Sequence, residues 1–309
     1  LSAPAISVLL PSFNQAEFLP EAIGSVLAQD FPDFELVISD GGSRDSSREV
    51  IASFAAQDAR IRVCHPNGNP GVAGNWNHCL AQARGRYVKF LFSDDFFASR
   101  SALGQLRAAL DRHPTALLAT SAARLVGAGS EPIGERRGLR RAGLHPGMAV
   151  AVECLRRLSN FVGEPSLVMF RAPAEEMCFN GGYRHLLDLE FWLRLLAGGD
   201  LVCLAEPLTA FRQHPAQLSA RNAADGTDAL EARWLLRDAL QHPLLGPSLE
   251  RRHLFRALYT LRQRPLPAGA RDDVADELMR RIGPRRYHAL WLRHKLIRPF
   301  SNAARLLGG

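Results

Sequence analysis

Apolar runs of strand length alternate with amphipathic, helix-length stretches over the first hundred residues, and this alternation narrows the fold more than any other feature of the chain. The run from Ile6 to Leu10 reads as a buried strand ended by Pro11. The stretch after it places Phe18, Ala22, Ile23, Val26 and Leu27 on one helical face. FELVISD is a second β-rich run, and it stops at Asp40-Gly41-Gly42-Ser43, a composition that turns. SSREVIASFAAQ then reads as helix, IRVCHP as strand, AGNWNHCLAQA as helix and YVKFLFSDD as strand. Strands separated by helices of about 10–15 residues imply crossover connections, so the expected architecture is α/β, a mostly parallel central sheet flanked by helices. Ligands of such sheets bind beyond the carboxyl ends of the strands. Asp40 and the pair Asp94-Asp95 both fall just past such ends.

Further on, residues 100–113 read as helix and ALLATSAARLVG as strand. Residues 127–147, rich in Gly, Arg and Pro, read as a long loop: either a lid over a ligand or a solvated run of arginines (Arg136, Arg137, Arg140, Arg141). Helix 148–159, strand SLVMFRA, helix LDLEFWLRLLAGG with its stop at Gly198-Gly199, and strand LVCLAEPLTAFRQ follow. From about residue 223 the pattern is helical, punctuated by Pro243, Pro247, Pro265, Pro267 and Pro284. The expected division is a catalytic domain over 1–220 and a basic helical extension over 221–309.

Charge follows the same division. Residues 1–219 carry 21 Lys+Arg against 22 Asp+Glu, and residues 220–309 carry 17 against 9, giving the chain its net charge of +7. A basic tail suits nucleic acid, an anionic membrane surface or an acidic partner. The charge is confined to the tail and no aromatic-basic motif accompanies it, so nucleic acid is not the expected partner. The last stretch, RRYHALWLRHKLIRPFSNAARLL, mixes Arg and Lys with Trp291, Leu292, Leu296, Ile297 and Phe300. It is either a peripheral membrane contact or a face packed on protein. No apolar run approaches the roughly 18–20 residues that cross a bilayer. The five cysteines are scattered without a CxxC pair, which argues against a disulfide framework or a zinc site. The expected location is the cytoplasm, at the inner face of the membrane if the tail binds lipid.

Two constellations could carry chemistry. Adjacent carboxylates at a strand terminus, Asp94 and Asp95, suit a hard divalent cation such as Mn²⁺ or Mg²⁺, which takes oxygen ligands and often binds through substrate phosphates. The alternative is that the pair caps a helix beginning at Phe96. Asp40 could accept hydrogen bonds from a nucleobase or ribose, or could simply bond the backbone of its own turn.

ISVLLPSFNQAEFLPEAIGSVLAQDFPDFELVISDGGSRDSS resembles the opening of family 2 glycosyltransferases of the GT-A, Rossmann-like fold, and NPGVAGNWNHCLAQARGRYVKFLFSDD resembles their next block. The words GNWN…KFL…DD, GEPS and FRQHPAQLS are similar to one bacterial subgroup, so the resemblance runs in order over about residues 5–219. It implies a nucleotide-binding half over about 1–98 and an acceptor half over 99–220. Pro11, Ser12, Phe13 and Asn14 would line the nucleotide pocket with Asp94, and Asp40 would read the base. Asp95 would hold the metal against the diphosphate, with His214 as a third ligand or a structural histidine. Asp188 would be the catalytic base, and Glu190, two residues on, would point away. Glu164 would bond an acceptor hydroxyl or serve only its turn. Trp76 and Trp192 are core residues or sugar platforms. The chain departs from the family pattern at Gly41, which replaces a second carboxylate, and at Ser93, which replaces the first Asp of the metal motif.

The implied chemistry is a hexosyl transfer with inversion. Asp188 would deprotonate an acceptor hydroxyl, which attacks the anomeric carbon as a metal-bound nucleoside diphosphate leaves, with UDP favoured as nucleotide. The acceptor would be a saccharide or lipid-linked saccharide in bacterial polysaccharide or glycoconjugate synthesis. A catalytically inactive sugar-nucleotide-binding homologue, and a nucleic-acid-binding protein using the tail, are the rival readings.

Overall fold

The computed structural model describes residues 3–66, 68, 70–172, 177–215, 217, 226–264, 266 and 271–306, with side chains as far as 295. Pro265 and Pro267, and the side chains of Leu296, Ile297 and Phe300, lie outside the described residues.

The first four strands, β1 (Ile6–Ser12), β2 (Phe34–Asp40), β3 (Ile61–Cys64) and β4 (Tyr87–Phe90), pair in parallel in the order β3-β2-β1-β4. Helices α1 (Leu19–Leu27), α2 (Ser47–Ala55) and α3 (Gly71–Ala81) make the crossovers. Every residue of β1 and β2 is buried, as in strands covered on both faces. Ile6, Val8, Leu10, Leu36 and Ile38 share one cluster with Leu19, Ile23 and Val26 of α1 and with Leu103, Leu106 and Leu110 of α4 (Ala102–Arg112). Each such side chain, fully buried, stabilises the fold by about 1.5–3 kcal/mol.

Pro11 lies inside β1 rather than after it. The β1–β4 ladder ends with Leu9 opposite Phe90, while the β1–β2 ladder continues to Ser12 opposite Asp40. A residue without an N–H is tolerated where one neighbouring strand has already left.

The remaining strands are β5 (Phe96–Phe97), β6 (Ala116–Val126), β7 (Pro132–Arg136), β8 (Gly143–His145), β9 (Val168–Arg171) and β10 (Asp200–Arg212). The sheet continues β4-β9-β6-β10-β5, with β7 on β6 and β8 on β10. β9 runs antiparallel to β4 and β6, and β10 runs parallel to β6, so the sheet is mixed. Helices α5 (Gly147–Arg157) and α6 (Leu187–Gly198) follow β8 and β9 along the chain. Residues 127–147, expected to be a long loop, instead carry β7 and β8. These edge strands are mostly exposed and lack alternating hydrophobicity, so their sequence reads as loop.

By contacts the chain divides into two compact units, residues 1–150 with 160–225, and residues 151–159 with 226–309. The second unit contains α7 (Thr227–Gln241), α8 (Leu245–Ser248), α9 (Arg251–Leu261), α10 (Asp273–Ile282) and α11 (Pro284–Leu306). Leu235, Leu236, Leu258, Leu261, Leu278 and Ile282 are buried there. Buried Arg233 pairs with Asp272, which also caps α10 by accepting the Ala275 N–H. Gly283, at φ +83°, ends α10, and Pro284 opens α11 at the first helical position, where its missing N–H costs nothing. Among the described residues no helix is long and apolar enough to cross a membrane.

Candidate functional site

The carboxyl ends of β2, β1 and β4 deliver three turns to one place. Gly41 donates its N–H to the Ser12 carbonyl at 2.9 Å. Asn75 of α3 donates to the carbonyls of Ser12 and Ser39 and accepts from the Ser39 hydroxyl at 2.6 Å. Asn14 has φ +53°, a left-handed conformation that Asn tolerates better than most residues. Its N–H reaches the Ser43 hydroxyl, and its side-chain oxygen accepts the Arg44 N–H, each at 2.8 Å. The turn after β1 is therefore stitched to the turn after β2.

Beside these turns lies a cavity of about 540 Å³. Pro11, Ser12, Phe13 and Asn14 line it, as do Asp94, Asp95, Glu164 and Asp188. Residues from opposite ends of the first unit's sequence thus share one wall. Asp40 does not line it. Its carboxylate accepts the Ser43 N–H and pairs with Arg48 at 2.8 Å. These partners hold its carboxyl below the usual range against the opposing effect of burial. The Ser43 contact is that of a turn residue bonding its own backbone.

Gly41 also has a local reason. A Cβ at this position would lie 3.0 Å from Asn75 Nδ2 and 3.3 Å from the Ser12 carbonyl oxygen. The network that fixes the pocket floor leaves no ready room for a second carboxylate.

The strand β5 begins at Phe96 and pairs with β10, so Asp94 and Asp95 do not cap a helix. Asp95 is buried; its Oδ1 accepts the Arg212 N–H at 2.9 Å, and its Oδ2 has no hydrogen-bond partner. Burial and the adjacent Asp94 push this carboxyl well above its ordinary value. The hydroxyl of Ser12, another residue that lines the cavity, is likewise buried without a partner. Buried polar atoms are normally satisfied, so unpartnered ones on two residues that line one cavity suit a bound ligand.

His214 places Nε2 3.2 Å from Asp94 Oδ2, with its ring 5.2 Å from that of Phe18. It therefore meets Asp94 and does not itself line the cavity. Among the described residues no three His, Cys, Asp or Glu side chains converge as a complete metal cage. The donor set, an unpartnered buried carboxylate oxygen beside a second carboxylate, nevertheless fits a hard cation that takes its other ligands from phosphate and water.

Asp188 opens α6 and is half-buried. Oδ1 accepts the Leu189 N–H at 2.7 Å and Oδ2 accepts Asn160 Nδ2 at 2.9 Å. Burial, with the charge of Glu164 second, raises its carboxyl to about 7. Glu190 is turned to Arg194, with which it pairs at 2.9 Å. Glu164 pairs with Arg136 of β7 at the cavity wall. Trp192 is fully buried among Phe170 and Phe191 and is a core residue. Trp76 is half-buried, packs on Phe92 at 4.6 Å and lines the cavity.

Several contributors were not singled out from the sequence. Lys89 is fully buried in β4, where Nζ donates to the carbonyls of Phe90 and Ser166. Burial lowers its ammonium group to about 7, with Asp95 opposing that shift. A charged residue inside the apolar run YVKFLF was the available signal. Arg212 holds the Asp94 carbonyl at 2.7 Å and the Ala128 carbonyl at 2.8 Å, and pairs with Glu21. It stands two residues from His214 in FRQHP, but its partners are set by tertiary structure. Asn75 stands in the GNWN word without a role assigned to it, and Asn160 carries no signal in the sequence pattern.

A family model described as "Glycosyl transferase family 2" matches residues 7–141. The chain is 40% identical over 93 residues, 30% of each chain, to the GalNAc(5)-diNAcBac-PP-undecaprenol beta-1,3-glucosyltransferase of Campylobacter jejuni. The matches to the first curated relatives span less than half of those relatives' length, 43, 45 and 28%. S. aureus TarS 1–349 in complex with UDP-GlcNAc superposes with a TM-score of 0.68 at 16% identity, covering 92% of this chain and 83% of that one. The mannosyltransferase PcManGT of Pyrobaculum calidifontis, in complex with GDP-Man and Mn²⁺, gives 0.60 at 14% identity, covering 96% and 81%. At these identities the two structures establish the shared fold.

Proposed function

Because residues 7–141 of this chain form a glycosyl transferase family 2 domain, we propose that the protein transfers a sugar, with inversion, from a nucleoside diphosphate to an acceptor hydroxyl, and that it needs a divalent metal ion. The observation that carries this is the shared cavity: the turn after β1, the Asp94-Asp95 pair and the first turn of α6 all line it. We assign the donor nucleotide to Pro11, Ser12, Phe13 and Asn14, with Asp94 beside it. Asp95 would hold Mn²⁺ or Mg²⁺, and His214 would orient Asp94 through the 3.2 Å contact. The ion, when bound, neutralises charge on the departing diphosphate.

Asp188 is the base in this reading. Ionised, its carboxylate takes the proton of the acceptor hydroxyl, whose oxygen bonds to the anomeric carbon while the bond to the diphosphate oxygen breaks. A carboxyl raised to about 7 suits that task near neutral pH. Glu164, another lining residue, would bond an acceptor hydroxyl. We favour a UDP-sugar donor and a saccharide or lipid-linked saccharide acceptor of bacterial polysaccharide or glycoconjugate synthesis. The UDP-GlcNAc complex of TarS and the undecaprenol-linked substrate named for the Campylobacter jejuni relative support that choice. Residues 1–98 would serve mainly the donor, 99–220 the acceptor, and the basic stretch 221–309 the membrane face that bears a lipid-linked acceptor.

Thermal unfolding with UDP, dTDP, GDP and CMP, each with and without Mn²⁺, tests the donor site. Saturation at one hundred times the dissociation constant adds about 2.7 kcal/mol to stability. A metal-dependent shift with one diphosphate, lost in Asp95→Ala, is expected. No shift with any of them would favour an inactive homologue.

A further inference from the structure

The turn that leads into β9 is built around one side chain. Asn160 uses all four of its hydrogen-bonding positions. Its Oδ1 accepts the N–H groups of Val162 and Gly163, each at 3.0 Å. Its Nδ2 donates to the Gly163 carbonyl at 3.1 Å and to Asp188 Oδ2 at 2.9 Å. Two other elements fix the same turn. Thr120 of β6 donates to the Val162 carbonyl at 2.7 Å, and Trp192 of α6 donates to the Gly163 carbonyl at 3.1 Å. Gly163 has φ +118°, and a Cβ there would meet Thr120 Oγ1 at 3.2 Å and Leu167 at 3.3 Å. The backbone that carries Asn160 is therefore closely held, and so is the direction in which its amide points.

We infer that Asn160 is a positioning residue for the transfer reaction, its amide orienting the Asp188 carboxylate and stabilising its ionised form so that a lone pair faces the acceptor hydroxyl. The inference rests on the reading of Asp188 as the base. Two donors fix the carboxylate plane. Leu189 N–H belongs to Asp188's own helix and would be there for any residue that accepts at this position, whereas Asn160 comes from a separate turn. A hydrogen bond given to the charged form of an acid favours that form, and the surroundings otherwise work against it. Glu164 faces Asp188 from the same turn, and Asp94 and Asp95 line the same cavity. Arg184 and His185 line it from the segment before α6, and Glu190 on α6 itself is paired with Arg194. Asn160 thus supplies a fixed dipole to a base set among carboxylates.

Two variants separate positioning from turn-building. Asn160→Ser keeps an oxygen able to accept the turn's N–H groups but is too short to reach Asp188. Asn160→Ala removes both functions. The Asp188 carboxyl is followed by carbon NMR in the full chain labelled at aspartate, its resonance assigned with Asp188→Asn. The Asp188 titration midpoint is expected to rise by about one pH unit in both variants. With UDP-glucose and Mn²⁺ as probe and water as the glucosyl acceptor, kcat for UDP release is expected to fall about tenfold with little change in the KM for UDP-glucose. An Asn160→Ser protein whose Asp188 titrates as in the wild type overturns the proposal, because the side chain then serves only its turn. Full turnover in Asp188→Asn overturns the base assignment itself, a result that an unshifted midpoint would not produce.

Discussion

Asp95 and Arg212 meet through the backbone: Oδ1 of Asp95 accepts the Arg212 N–H at 2.9 Å, while the guanidinium turns to the Asp94 carbonyl at 2.7 Å. The second Asp95 oxygen is buried without a partner, although a cationic side chain stands on the very residue that binds the first. A buried carboxylate in that condition costs stability, which buried Lys89 in β4 offsets only in part, so a further cation beside it would stabilise the fold. Asp95→Asn keeps the acceptor for Arg212 and removes the charge. Its metal-free melting temperature is expected to rise by a few degrees, roughly 2–4 °C for each kcal/mol in a domain of this size. Its nucleotide-dependent shift with Mn²⁺ is expected to vanish. A variant that melts lower without metal would show that the carboxylate is already satisfied.

Turnover and stability should respond to pH in opposite directions through Asp188. Its carboxyl is raised from 3.8 to about 7 by burial first and by Glu164 second. A base must be ionised, so kcat is expected to climb as pH rises through about 7. The unfolded chain gives up this proton near 3.8 while the folded chain keeps it to about 7, so the contribution to stability declines as pH rises across that window. Asp188→Asn should flatten the decline in denaturant titrations at pH 4.5 and pH 7.5. Glu164→Gln removes the facing negative charge and should move the acid limb of kcat to lower pH. An unmoved limb would mean that Arg136, paired with Glu164, already cancels that charge.

The division of the first half into strands and helices was legible because β1, β2 and β4 are buried runs whose hydrophobic content announces them, and because Asp40 and Asp94-Asp95 end such runs. β7 escaped because four of its five residues are exposed, so its pairing with β6 leaves no trace in hydrophobicity. Asp188 was placed from resemblance, and its position on the cavity depends on α6 arriving beside a turn at 160–164 that is distant in sequence. The roles of Asn75 and Asn160 were invisible for a related reason. Each is an amide whose role comes from groups that other elements bring to it, the Ser12 and Ser39 carbonyls for Asn75 and the Asp188 carboxylate for Asn160.

Arg212 should prove more important for stability than for chemistry. It is buried and binds the carbonyls of Asp94, Gly127 and Ala128, the Ser130 hydroxyl and Glu21, with its guanidinium 4.8 Å from the Phe18 ring centroid. Lysine cannot reproduce a planar fork with this many directed donors. Arg212→Lys is therefore expected to lose about 3 kcal/mol or more, read by urea unfolding, because several carbonyls are left unsatisfied together. A loss below 1 kcal/mol would mean that water replaces the guanidinium contacts.

A methyl group at position 41 should be felt in donor binding. The Cβ of Gly41→Ala would sit 3.0 Å from Asn75 Nδ2, so Asn75 must shift or give up the bonds that hold Ser12 and Ser39. A contact this tight gives way by a few tenths of an ångström, and the pocket floor at Ser12 moves with it. The KM for the UDP-sugar is expected to rise severalfold while kcat changes less than twofold, since Asp188 lies on α6 and is not part of that floor. Equal losses in kcat would indicate that the floor also sets the donor's anomeric carbon against the base.

The basic extension supplies a prediction about where the protein works. Residues 220–309 carry 17 Lys+Arg against 9 Asp+Glu, and α11 sets Lys295 over the Trp291 ring at 4.2 Å beside exposed Leu292. Basic and apolar groups on one helix combine attraction to anionic headgroups with shallow burial of rings and aliphatic chains, and the electrostatic part weakens with salt. The full chain is expected to sediment with vesicles containing phosphatidylglycerol at low ionic strength, to stay in the supernatant with neutral phosphatidylcholine, and to be released on raising salt to about 0.5 M, where the Debye length falls well below 8 Å. Replacing Arg285, Arg286 and Arg293 with Gln should reduce the bound fraction without lowering the melting temperature, because residues 285 and 286 are exposed and 293 is too. Binding that ignores both lipid charge and salt would instead mark the exposed apolar groups of this unit as a protein contact, and a lipid-linked acceptor would then have to reach the cavity without help from the tail.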